Sequence, residues 1–102
     1  MPISQTQIGK ITSLARSYGA TLLILFGSVL ETPMEARDID IACDGVSGWK
    51  LYELAARIEE ELHTRFDIVP LSPSSRFTKY IENKGKVILL QLMSYRRKSI
   101  LK

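Results

Sequence analysis

Apolar and polar positions follow two different periods along the chain, and the switches between them mark out its elements. Ile8, Ile11, Leu14, Ala15 and Tyr18 recur at three- and four-residue spacing, the stripe of an amphipathic helix. Ser4 and Gln7 have capping-box spacing ahead of it, and Gly19 stands where such a helix ends. The unbroken run Leu22-Leu23-Ile24-Leu25-Phe26 then reads as a buried strand over about 21 to 26. Residues 29 to 37 contain Pro33 and several charges and predict an exposed turn, or a short helix plus loop. A second strand follows from Asp38 to Cys43, and Asp44-Gly45-Val46-Ser47-Gly48 is a loop with Ser47 as N-cap. Leu51, Leu54, Ala55, Ile58 and Leu62 make the stripe of the next helix, with Trp49 and Tyr52 expected to pack at its start and His63 at its end. A third strand spans Arg65 to Leu71, limited by Pro70. Pro73-Ser74-Ser75 introduces a short helix that stops at Asn83-Lys84-Gly85, and Lys86-Val87-Ile88-Leu89-Leu90 is a last strand at the sheet edge.

This order of helices and strands predicts an α/β (α+β) domain: a mixed sheet of about four strands with helices packed against it. The link between the first two strands is too short for a crossover helix, so that pair is expected to be antiparallel. Residues 1–90 are assigned to the domain. Residues 91–102 form a basic tail, expected to be helical, in which Leu92, Met93, Tyr95 and Ile100 are packing positions.

Chemistry concentrates at two strand ends. Gly27-Ser28 closes the first strand; a glycine lets backbone N–H groups approach an anion, and the serine hydroxyl adds a donor. Asp38 and Asp40, two apart on a strand, point to one face while Ile39 and Ile41 point to the other. Two acids side by side on one face repel unless a cation lies between them. One Asp-x-Asp alone is more often the solvated edge of a strand or a turn cap near Arg37 than a metal site. Asp67, between Phe66 and Ile68-Val69, is a carboxylate in an apolar strand, where burial without a partner is costly. A salt bridge to Arg65 or Lys86 is its simplest alternative role.

Phe26-Gly27-Ser28, Asp38-Ile39-Asp40 and Asp67, in that order and strand context, resemble the motif of the DNA polymerase β superfamily of nucleotidyltransferases, specifically its minimal single-domain members. The resemblance runs from about Ile8 to Leu90. It implies a nucleotidyltransferase fold in which Asp38, Asp40 and Asp67 are catalytic and hold magnesium, two ions in all. Gly27 and Ser28 would hold the phosphates of ATP. It also implies a partner. Minimal members pair with a HEPN-domain ribonuclease toxin, and the expected reaction is AMP transfer from ATP to a toxin tyrosine, which silences the ribonuclease. The chain departs from the family pattern in having Val29-Leu30-Glu31 after the serine, Arg37 before the first acid, and a loop about one residue short. These departures support two alternatives, an inactive antitoxin that acts by contact and a nucleotide-sensing regulatory module.

Composition narrows the picture a little. With 45% hydrophobic and 25% charged residues the chain is an ordinary globular sequence, which excludes disorder. The formal charge of +3 lies largely in Arg96, Arg97, Lys98 and Lys102, a pattern more often a solvated helix face than a nucleic-acid site. Cys43 is the single cysteine, so an intrachain disulfide is excluded, and it is expected to be a small buried residue. The start, Met-Pro-Ile-Ser, has no basic stretch leading into an apolar one, and no apolar run approaches the ~20 residues needed to span a bilayer. A cytoplasmic protein without membrane contact is expected, in a homo- or hetero-oligomer.

Overall fold

The computed structural model describes residues 3–46 and 48–91. Its elements are α1 (Gln5–Ser17), β1 (Leu22–Phe26), α2 (Ser28–Glu31), β2 (Asp38–Asp44), α3 (Trp49–Leu62), β3 (Arg65–Pro70), α4 (Arg76–Lys84) and β4 (Lys86–Leu90). The strands form one sheet in the order β3-β2-β1-β4. β1 is antiparallel to both β2 and β4, as the short link requires, while β2 and β3 are parallel and joined through α3 as a crossover.

Strand alternation divides the core between the two faces of the sheet. Leu23, Leu25, Ile39, Ile41 and Phe66 point toward α1 and α3, where they meet Ile11, Ala15, Leu54 and Ile58. Ile24 and Ala42 point the other way, where Ile81 of α4 and Leu71 make a smaller cluster. One face is therefore well covered and the second only partly so. The second face carries the acids.

Local sequence accounts for the helix ends. The Ser4 hydroxyl accepts from the Gln7 N–H (3.1 Å) while the Gln7 side chain accepts from the Ser4 N–H (2.8 Å). Ser75 and Thr78 repeat the box on α4 at 3.1 and 2.8 Å. Gly19 follows α1 at φ +97°, and His63 closes α3 in the left-handed conformation at φ 54°.

The start of α3 departs from expectation. Trp49 and Tyr52 are 69% and 78% exposed. The buried stripe is Leu51, Leu54 and Ile58, and positions 49 and 52 fall away from it around the helix. The expected cap Ser47 and the expected helical tail beyond Gln91, with its packing residues, lie outside the described residues. Among the described residues, no helix is long and apolar enough to cross a membrane.

Candidate active site

Register builds the site. In the antiparallel pair Phe26 lies opposite Asp40, and in the parallel pair Asp40 lies beside Asp67 and Asp38 beside Arg65. Cross-strand neighbours share a face, so Phe26, Asp40 and Asp67 form a row across three strands. Ile39 and Ile41 are buried on the opposite face while Asp38 and Asp40 are half-buried, as alternation predicts.

Electrostatics mark Asp40 as the centre. Its carboxyl titrates above the ordinary 3.8, first because burial disfavours the charge, then because Asp67 and Asp38 repel it, and through a hydrogen bond with Asp67. A cation between the two carboxyl groups would relieve that repulsion.

Gly27 is fitted to that carboxylate. Its backbone (φ 82°, ψ −153°) lies in a region that side chains disfavour, and a Cβ there would stand 2.5 Å from Asp40 Oδ2. Its carbonyl accepts from Leu30 N–H (3.0 Å) and Glu31 N–H (3.1 Å), starting the single turn of α2. Ser28 is exposed at that start, where the first N–H groups have no intrahelical acceptor.

The acids are not equivalent. Asp38 Oδ1 pairs with Arg65 Nε at 3.6 Å. Asp67 is exposed rather than buried, because β3 is the sheet edge. Neither partner considered for Asp67 is its ion pair among the described residues. Arg65 turns to its cross-strand neighbour, about 5 Å away in such a pair against about 7 Å along its own strand, and Lys86 lies on the opposite edge strand. The Asp38–Arg65 pairing went unread from sequence, although Arg65, two before Asp67, shares its strand face. Cys43 is buried with its thiol pushed up to about 11, chiefly by burial, and so is no nucleophile.

Among the described residues no three acid, histidine or cysteine side chains are gathered as a ready-made metal cage. Magnesium does not need one; it binds through one or two carboxylates plus substrate phosphates and water. Asp40 and Asp67, adjacent oxygen donors whose repulsion a cation would relieve, fit that requirement.

Comparison with known proteins identifies the family and the fold. Residues 9–91 match the family model described as Polymerase beta, Nucleotidyltransferase. The fold is similar to a solved toxin–antitoxin complex MntA-HepT, with TM-score 0.68 and 25% identity over 89% of this chain and 76% of that one. A toxin–antitoxin structure with AMP-PNP is similar at TM-score 0.70 and 26% identity, covering 85% and 76%. A third, a tri-AMPylated HEPN toxin of Shewanella oneidensis in complex with an MNT antitoxin, matches at TM-score 0.69 and 24% identity, covering 92% and 78%, and speaks for the fold alone. Among curated proteins no sequence matches.

Proposed function

The chain belongs to the polymerase beta nucleotidyltransferase family, and from that premise we propose that it transfers AMP from ATP to a hydroxyl group on a HEPN-domain toxin, acting as the toxin's antitoxin in the cytosol. The observation that carries this reading is the row Asp40–Asp67 beside Gly27, a strained carboxylate pair next to a turn that only glycine fits. The similar MntA-HepT and AMP-PNP structures support the partner and the nucleotide.

In this reading Gly27 and Ser28 hold the terminal phosphates with backbone N–H and hydroxyl donors. Asp40 and Asp67 would hold magnesium, with Asp38 joining them, for two ions in all, once its pairing with Arg65 is exchanged. Such ions would supply charge neutralisation at the phosphates and a lower acceptor pKa. Asp67, exposed at the sheet edge, takes the proton from the incoming hydroxyl. The acceptor oxygen forms its bond to the α-phosphorus as the bond to the β-phosphate's bridging oxygen breaks. Pyrophosphate leaves, and the acceptor keeps AMP.

The direct test is the intact mass of the protein encoded beside this gene, after co-expression with wild type or with Asp38→Ala/Asp40→Ala. The expected result is a gain of one or more AMP units that vanishes with the double variant. The Asp38–Arg65 ion pair and the altered loop 29–37 favour a second reading, an inactive antitoxin or nucleotide sensor that binds its partner without transfer. An unchanged partner mass, with a stable complex formed by both versions, would establish that reading instead.

A further inference from the structure

We propose that Phe26 and Phe77 form the platform on which the base of the bound nucleotide stacks, an inference that rests on the phosphate and metal assignments above. Phe26 is the third member of the Phe26–Asp40–Asp67 row, directly across the strand pair from Asp40. Opposed side chains in such a pair stand about 5 Å apart at Cβ, so an aromatic ring borders the carboxylate that would meet the phosphates. Phe77, in the first turn of α4, meets Phe26 edge-to-face, with ring centroids 5.9 Å apart and planes at 82°.

That edge-on contact leaves Phe77 with a face to spare. It is 53% exposed. The anchoring of α4 is carried by other residues, Ile81 in the core and Thr78 in the capping box. Single exposed apolar side chains are common, and what sets Phe77 apart is its place, against Phe26 and so beside the row that holds Asp40. A nucleotide held by its phosphates at Gly27, Ser28 and Asp40 has a flat aromatic group tethered to those phosphates through one sugar. The platform and the phosphate site are neighbours on the same face of the sheet, which is the arrangement such a molecule needs. Phe26 orients Phe77 through the edge contact, and Phe77 supplies the stacking face. Stacking tolerates any base because each has a π-face, so the platform strengthens nucleotide binding without choosing among bases.

The experiment compares magnesium-dependent binding of ATP and of inorganic tripolyphosphate, which lacks base and sugar, by titration calorimetry on wild type, Phe77→Ala and Phe77→Trp. Phe77→Ala should weaken ATP binding by about 5- to 50-fold, the weight of one base–aromatic stack at a half-exposed ring. It should leave tripolyphosphate unchanged, and Phe77→Trp should restore ATP affinity. Equal weakening of both ligands would make Phe77 a structural residue and overturn the platform. Unchanged binding of both would overturn it too. If wild type binds tripolyphosphate but ATP no more tightly, the base is not held and only this inference falls. If wild type binds neither, the nucleotide site falls with it.

Discussion

At the scale of single residues the site is a conflict that the fold keeps unresolved. Asp40 is pressed between burial, Asp67 and Asp38, and its carboxyl titrates above 3.8. Between that ordinary value and the raised one, the native chain holds a proton that the unfolded chain has released. Stability therefore falls as pH rises through the window, and the penalty is complete above it. Asp40→Asn, which removes the charge at constant shape, should raise Tm at pH 7 while abolishing the proposed transfer. Below pH 3.8 the two melting curves should converge, which thermal denaturation across pH reads directly; a pH-independent difference would refute the electrostatic account. The acids were legible in the sequence because alternation fixes their face. Their burial was not, since it depends on which strand lies at the edge. Asp67 looked apolar-bound between Phe66 and Ile68, yet the edge position of β3 leaves it exposed.

At the scale of elements the sequence was most readable where local chemistry decides. The capping box at Ser4, the C′ glycine at residue 19 and the strand periods need no tertiary knowledge. Trp49 and Tyr52 were misplaced for the opposite reason. Large aromatic residues suggest packing, but α3 had already met the core with Leu51, Leu54 and Ile58, so helix geometry turned the rings outward. α4 matters most for the second face, because Ile81 and Phe77 reach it from one short helix. A helix of 9 residues is marginal by itself, so its cap counts. Ser75→Ala removes the acceptor for the Thr78 N–H and should cost about 1 kcal/mol, roughly 4–8 °C in Tm for a domain of this size. Ser75→Thr or Ser75→Asp, which keep an acceptor, should recover most of it in the same melting assay.

At the scale of the molecule, a nucleotide held on the partly covered second face would make binding and stability a single equilibrium. A ligand that binds only the folded chain stabilises it by about 2.7 kcal/mol at a hundred times its Kd, which in a domain this small raises Tm by roughly 10 °C or more. Magnesium with ATP should therefore shift the melting curve of wild type by that order, and of Asp38→Ala/Asp40→Ala far less. An inactive nucleotide-binding antitoxin would show the same shift, so melting alone does not separate the two readings. Turnover does. Ser28 and Asp67 both lie exposed, and in the proposed reaction the acceptor hydroxyl is presented by the partner that docks over them. Pyrophosphate release from ATP in the presence of magnesium should accordingly be slow for the chain by itself and rise by orders of magnitude when the proposed HEPN partner is added. A large melting shift with no toxin-dependent pyrophosphate assigns the site to nucleotide binding without transfer. Absence of both would leave contact between surfaces as the only means by which this chain could restrain the proposed partner.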